Sequence, residues 1–319
     1  MTTSTPVTPG TTDRRIVEID AVRGFALCGI HVVNVYQQVV FPAMFGEMRG
    51  KGLGVMPDVV RHGFYERFFP IFTLLFGLGF AIFLESAGRK TDSPRKVLAR
   101  RLLALAVIGV IHQLFHQGEA LLPYAVFGLV FLLLIGGQVI AGYGVMTGLL
   151  VIGLALARFG VHRRLGSHTG SWVVVTLLFG AITAAYWWSV REGVDLPRLS
   201  FGLASLPEQL AGVAGGLFYA SLLVLLMRLG LRGVLGAVFA PMGRMALTNY
   251  LLATVLILAL SPVLGIEDVS DWPQITGLVI GIIVVQAVWS ALWLAAFRYG
   301  PAEWVWRCIT WWRVAPFRR

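Results

Sequence analysis

The stretch Arg15-Ile-Val-Glu-Ile-Asp20-Ala-Val-Arg23-Gly24-Phe-Ala-Leu-Cys-Gly-Ile-His31-Val-Val-Asn34 decides the fold. It opens the first long apolar run of the chain, yet it carries an acid, a base, an imidazole and an amide. In lipid, each of these is costly unless it is paired or faces the interior of a bundle. At about 100° per residue, Asn34 lies about 20° round a helix from Arg23, Asp20 about 60° and His31 about 80°. One side of the helix therefore carries all four groups. At about 1.5 Å per residue, Arg23 and Asn34 are roughly 16 Å apart, half a hydrocarbon core. A polar stripe of that length on an apolar helix faces the inside of a bundle.

The rest of the chain agrees. Hydrophobic residues make up 57% of its 319 residues and charged residues 13%, far from the average soluble domain. The expected fold is all-α, a polytopic bundle of about nine to ten transmembrane helices, multi-pass in the plasma membrane with membrane lipid as its surroundings. Candidate spans are 20–42, 68–86, 102–117, 120–137, 139–157, 172–190, 210–228, 244–262 and 275–297, the third and fourth on the short side of what a bilayer requires. Residues 1–15 read as a flexible tail, 16–307 as a single helical domain and 308–319 as a basic tail. The net charge of +10 belongs to short runs flanking spans, not to nucleic-acid binding. The two cysteines, Cys28 and Cys308, have no metal spacing and form no disulfide framework.

Arg14 and Arg15 precede span 1, and the segment from Arg89 to Arg101 carries six bases, so both sit on the cytoplasmic side by the positive-inside rule. With nine full crossings, Arg158, Arg228, Arg232 and the basic C-terminus would lie outside, against the rule. One re-entrant or miscounted segment between 102 and 157 restores it and puts both termini in the cytoplasm. Gly212-x-x-x-Gly216 and Gly277-x-x-x-Gly281 let backbones approach in lipid, either between helices of one chain or across a homodimer.

Three more polar groups punctuate the apolar runs. His112, His116 and Glu119 recur at i, i+4 and i+7, one helix face. That spacing admits a metal site lacking its further ligands, an imidazole base at His112 oriented by a carboxylate, or, for His116 and Glu119, contact with water at the membrane surface. The segment Gly243-Arg244-Met-Ala-Leu-Thr248-Asn249-Tyr250 places Arg244 and Thr248 at i, i+4 as a helix opens. An arginine there needs an anion, either Asp20, Glu119 or the phosphate or carboxylate of a ligand. Gly300-Pro301-Ala-Glu303-Trp304-Val-Trp306-Arg307 closes the last span with interfacial Trp and Arg. His31 reads as a helix-interface histidine. No phosphate loop, nucleophile elbow or zinc-protease motif occurs, and no resident metal or cofactor is expected.

The run Ile19-Asp20-Ala-Val-Arg23-Gly24-Phe-Ala-Leu with Val33-Asn34 resembles the start of the YeiB-like membrane protein family, which is named for an unknown function. The resemblance extends over almost the whole chain. Gly109-Val-Ile-His112, Gly118-Glu119-Ala-Leu and Tyr124-Ala-Val-Phe-Gly128-Leu match a family motif, with Glu119 where Asp is usual. Gly243-Arg-Met-Ala-Leu-Thr-Asn-Tyr250 and Gly300-Pro-Ala-Glu-Trp-Val-Trp-Arg307 match two more. The family has about one span more, so this chain looks shortened in the middle. The Asp-x-x-Arg-Gly…Asn pattern is also remotely similar to integral-membrane acyltransferases, including bacterial polysaccharide O-acetyltransferases and the lysosomal heparan glucosaminide N-acetyltransferase. That enzyme class places an imidazole about eleven residues after the equivalent of Asn34, where this chain has Phe45; His62 is the nearest extracytoplasmic histidine.

The resemblance implies transfer of an acyl group, acetyl above all, from acyl-CoA to a hydroxyl or amine on a small molecule, glycan or lipid. His112, oriented by Glu119, would act as base and Asn34 would hold the oxyanion. Arg23 or Arg244 would bind donor phosphate, Asp20 would fix Arg23, and Asn249 would line the substrate site. A transporter of a small anionic or amphipathic molecule, and an accessory membrane protein whose buried charges set helix register, are the alternatives.

Overall fold

A computed structural model describes residues 16–47, 57–116, 120–134, 168–194, 200–201, 204–266 and 271–319, with a few positions between 149 and 160. The chain forms α1 (Val17–Glu47), a short α2 (Asp58–Gly63), α3 (Phe69–Gly88), α4 (Pro94–Gln113), α5 (Leu121–Leu134) and α6 (Thr169–Arg191). A two-residue strand pair, Ser200–Phe201 with Ala204–Ser205, precedes α7 (Leu206–Leu226). A π-turn over Met227–Leu231 leads to α8 (Arg232–Arg244), and α9 (Ala246–Leu260), α10 (Trp272–Ala296) and α11 (Pro301–Trp311) complete the bundle. The fold is the expected all-α bundle. Proline occupies the first turn of α3, α4, α10 and α11, where its missing N–H costs nothing and its φ suits a helix.

Among the described residues, five helical stretches are long and apolar enough to cross a membrane: Val17–Gln38, Phe69–Gly88, Thr169–Arg191, Pro207–Arg244 and Trp272–Ala296. Leu121–Val130 and Ala246–Leu260 are shorter apolar helices. The expected segment at 139–157 lies mostly outside the described residues. The stretch from Pro207 to Arg244 is not one rod. Gly230, at φ 113°, breaks it, a backbone conformation that glycine adopts without steric cost. The thirteen-residue α8 that follows packs along α1 more extensively than any other helix pair touches.

Outward faces are apolar: Val174, Leu177 and Leu178 on α6, and Ile280, Val284, Val285 and Leu292 on α10, are all exposed. A helix whose backbone is satisfied internally can present such a face to lipid. The first turn of α1, the start of α4, the junction of α8 with α9, and α11 gather at one end. Arg232 of α8 pairs with Glu18 at 2.9 Å. Arg228 donates from Nε to the Thr169 hydroxyl at 3.0 Å, which brings the start of α6 to the same place. The C-terminal residues dock here too, with Arg298 N–H donating to the Phe317 carbonyl and the Phe317 ring against Phe297. The two ends of the described chain, Arg228, Arg232 and the C-terminal arginines thus share one basic end. At the opposite end Tyr219 of α7 donates to the Gly63 carbonyl and the His62 ring lies 5.0 Å from that of Trp187 of α6.

The two small-residue pairs differ in role. A Cβ at Gly212 or Gly216 would strike the backbone carbonyls of Glu66 and Arg67, so this face packs inside the chain. Gly277 and Gly281 have open space around them.

Candidate functional site

Glycine builds the site. A Cβ on Gly243 would collide with the carbonyl oxygen of Asp20 and lie 2.8 Å from the Gly24 amide nitrogen; a Cβ on Gly24 would collide with the carbonyl of Phe239. Helices α1 and α8 therefore touch backbone to backbone at this crossing, which only glycine permits at both positions. The residue beside each glycine is an arginine. Arg23 and Arg244 consequently line the same cavity, of about 290 Å³.

The helix expected to open at Arg244 is instead broken there. Pro241 removes a hydrogen bond inside α8, Met245 leaves the helical region at φ −110° and ψ 30°, and α9 starts afresh at Ala246. Arg244 thus ends one helix and Thr248 begins the next, so they do not share one helical face. The new N-terminus is capped from elsewhere. Leu247 N–H and Thr248 N–H donate to Glu303 Oε1 at 2.7 and 3.1 Å, and the Thr248 hydroxyl donates to Oε2. Thr248 in turn accepts from Ala302 N–H at 3.1 Å, so the first turns of α9 and α11 cap each other. A carboxylate at a helix N-terminus also meets the favourable end of the dipole. Burial pushes the Glu303 carboxyl above its ordinary value of 4.5, and the hydrogen bonds from Thr248 and Leu247 pull it back.

With α11 fixed this way, Arg101 and Arg307 join the cavity lining. The Arg101 guanidinium lies 3.6 Å from the centre of the Trp306 ring, and Trp306 Nε1–H donates to the Arg101 carbonyl at 2.7 Å. Arg307 stands 4.9 Å over Tyr299. Arg101 thus stands among the like charges of Arg307 and Arg23, with Glu303 the lining carboxylate. Asp20 accepts from Arg23 at 3.2 Å. Among the described residues the cavity thus has four guanidinium groups and one lining carboxylate, itself engaged as a cap. Phe72, Phe76 and Phe80 of α3 and Tyr124 supply an apolar wall. Guanidinium groups beside an apolar wall match the chemistry of a phosphate- or carboxylate-bearing group with an apolar remainder.

His112 lies beyond Tyr250, which lines the cavity and whose ring is 5.0 Å from that of His112. His112 Nε2 is 2.9 Å from the Thr254 hydroxyl, which also accepts from Gln38 Nε2 at 3.3 Å. Asn34 is buried one turn from Gln38 and its Nδ2 has no protein partner; it does not line the cavity. Asn249 donates to the Ser290 hydroxyl at 2.8 Å and to the Met242 carbonyl at 3.3 Å, tying α8, α9 and α10. His31 meets Gln286 Oε1 at 2.8 Å, the interface role read from sequence. Glu119 lies outside the described residues. His116, expected at the membrane surface, is instead 1% exposed, because α4 turns inward at its end and packs the imidazole 5.6 Å from that of His112. Among the described residues no three metal-ligating side chains cluster.

Arg101 and Arg307 escaped the sequence reading because a basic loop and an interfacial anchor account for them equally well. What marks them is a guanidinium against an aromatic ring, Arg101 at Trp306 and Arg307 at Tyr299, visible only once α4 and α11 are seen to meet.

Comparison with known proteins adds the lineage. The profile of the family described as "Protein of unknown function (DUF418)" matches residues 156–313. The chain is 31% identical over 95% of its length, and over 96% of the relative, to the "Uncharacterized 39.9 kDa protein in amylase 3'region" of Bacillus acidopullulyticus. It is 25% identical to the "Uncharacterized protein YeiB" of Escherichia coli (strain K12), covering 93% and 96% of the two chains. It is likewise 25% identical to the "Uncharacterized protein YxaH" of Bacillus subtilis (strain 168), covering 95% and 96%. The alignment with YeiB runs over 377 positions against 319 residues here, so that relative carries inserted segments. No solved structure matches the chain.

Proposed function

The chain belongs to the YeiB-like (DUF418) family of membrane proteins, and from that premise we propose that it is an integral-membrane acyltransferase, taking its acyl group from a phosphorylated thioester of the acyl-CoA type. The basic end faces the cytoplasm, where the donor is found. Its phosphates bind among Arg23, Arg101, Arg244 and Arg307, and its pantetheine-like arm runs along the Phe72, Phe76 and Phe80 wall toward Tyr250. The observation that carries this reading is the charge of the cavity: among the described residues, four arginines against one capping carboxylate and the Asp20 partner of Arg23. Arginine is the residue best matched to phosphate, since its fork donates two parallel hydrogen bonds.

His112, held by Thr254 at 2.9 Å, is the base. The hydroxyl or amine of the acceptor gives its proton to the imidazole as it attacks the thioester carbonyl; the C–S bond then breaks and the departing thiolate takes the proton back. The acceptor is a small molecule, glycan or lipid. Asp20 holds Arg23, and Asn249 ties the helices that present Arg244.

The test is thiol release from acetyl-CoA by detergent-purified protein. Wild type releases thiol, and His112→Ala slows release by about a hundredfold or more with donor affinity retained. Uptake of a labelled organic anion into proteoliposomes, with no donor consumed, would instead make the cavity the cytoplasmic mouth of a permease.

A further inference from the structure

Behind Tyr250, between α1, α4 and α9, lies a polar seam that the donor cavity does not explain. It comprises Asn34 and Gln38 of α1, His112 and His116 at the end of α4, and Tyr250 and Thr254 of α9. All six are buried, none more than 6% exposed. Hydrogen bonds join His112 to Thr254 and Gln38 to Thr254, and ring contacts join His112, His116 and Tyr250. The remaining hydrogen-bonding capacity is large. Asn34 Nδ2, Gln38 Oε1 and both ring nitrogens of His116 have no partner in the protein. Buried polar atoms are satisfied almost without exception, and four orphans within one seam, donors and acceptors together, mark a place for a hydrogen-bonding guest.

The chemistry of the guest follows from the lining. Amides, hydroxyls and imidazoles surround it, with no carboxylate or guanidinium among the six, in contrast to the arginines on the other side of Tyr250. Among the described residues of the seam nothing would pair a charged guest, and a buried unpaired charge is not tolerated. A hydroxyl both donates and accepts, as the orphans require.

We infer that this seam is the subsite for an uncharged hydroxyl nucleophile. It rests on the acyl-transfer reading and deepens it. Tyr250 stands where the donor cavity meets the seam, its ring 5.0 Å from His112 and 6.3 Å from His116. The hydroxyl oxygen is held by Asn34 Nδ2–H and its proton is directed to the imidazole of His112. The O–C bond forms as the C–S bond breaks, the proton passes from oxygen to imidazole to thiolate, and no oxidant or reductant is consumed. Asn34 is then a positioning residue of the nucleophile, not a donor to the oxyanion. The hydroxyl belongs either to water, giving a hydrolase, or to an organic alcohol, giving a transferase.

Two measurements on the detergent-purified full-length protein test this. The first is hydroxyl-radical footprinting in oxygen-18 water, which labels side chains beside bound water whether or not the protein is an enzyme. His116 and Tyr250 are expected to take up the label despite their burial; no label at either overturns the subsite. The second is thiol release from acetyl-CoA, with and without glycerol as the alcohol probe. Asn34→Leu and Gln38→Leu are expected to slow release by about a hundredfold at unchanged acetyl-CoA affinity. Thr254→Val should do likewise while Thr254→Ser is near wild type. Acetylglycerol as product identifies an alcohol guest, and acetate alone identifies water. Wild-type rates in both leucine variants overturn the inference. Label at His116 with no thiol release by wild type would leave the guest in place, but sink both its role as nucleophile and the acyl-transfer reading.

Discussion

Replacing Gly243 with alanine tests the crossing on which the arginine cavity depends. The added methyl would collide with the Asp20 carbonyl and sit 2.8 Å from the Gly24 nitrogen. Carbon–oxygen contacts rarely close below about 3.3 Å, so α1 and α8 must separate by roughly an ångström. Two effects compete. Alanine favours a helix over glycine by up to about 1 kcal/mol, and less near the end of α8. Overpacking a rigid contact costs about 1–3 kcal/mol, at the upper end here because both sides of the contact are backbone and no rotamer can relieve it. The net expectation is a loss of about 1–2 kcal/mol, read as a lower apparent Tm in mild detergent. Separation of the helices also spreads Arg23 from Arg244, so acetyl-CoA affinity should fall about tenfold or more, the equivalent of about one charge-assisted hydrogen bond. Gly277→Ala is the internal control. Nothing lies within 4 Å of its Cβ, so only the helix-propensity term operates and stability should hold or rise. Equal Tm and donor affinity for Gly243→Ala and wild type would refute the crossing as described.

Other consequences can be measured with the same preparations. Glu303 has a folded carboxyl raised above its ordinary 4.5, so whatever stability its titration contributes is full below the unfolded value and is lost as pH rises through the folded one; Glu303→Gln should remove that downward slope of Tm with rising pH above about 4.5. The same variant keeps an acceptor oxygen for the α9 amides and should lose less Tm than Glu303→Leu, which leaves Leu247 and Thr248 N–H uncapped at a cost of about 0.5–2 kcal/mol. Trp306→Leu removes the ring against Arg101 and its bond to the Arg101 carbonyl, and should weaken acetyl-CoA binding severalfold through a less ordered guanidinium. Asn34→Leu should leave Tm unchanged or raised, because it removes a buried amide whose Nδ2 has no protein partner; a large loss of Tm would show that Asn34 is engaged by the protein.

Much of this was legible in the sequence, for definite reasons. The bundle followed from apolar runs of bilayer length. The polar stripe of α1 announced itself because acid, base and amide are costly in lipid, and Arg23 and Arg244 do share a cavity. The paired glycines stood in the motifs, but which helices they join is a long-range fact that no local pattern encodes. Helix α8 was missed because thirteen residues with an arginine at each end read as a loop beside a span. The run from Gly243 to Tyr250 looked like one helix because the break at Met245 is set by Pro241 and by the cap that Glu303 brings from α11, more than fifty residues away. His116 was misplaced because a histidine after a short apolar run resembles a surface residue, and burial depends on how α4 meets α9. Single polar residues in apolar spans, such as Gln38, Thr254 and Gln286, were the available signal for the buried seam.

The central claim is that the arginine cavity receives the phosphates of an acyl donor. It is tested most directly by equilibrium binding of acetyl-CoA to the detergent-purified protein and to Arg101→Gln and Arg244→Gln, two arginines brought to the cavity by different helices. Saturable binding to wild type is expected, weakened about tenfold or more in each variant, since a hydrogen bond to a charged group is worth about 1.5–3 kcal/mol. Absence of binding to the folded wild type, or equal affinity in all three proteins, would contradict the account.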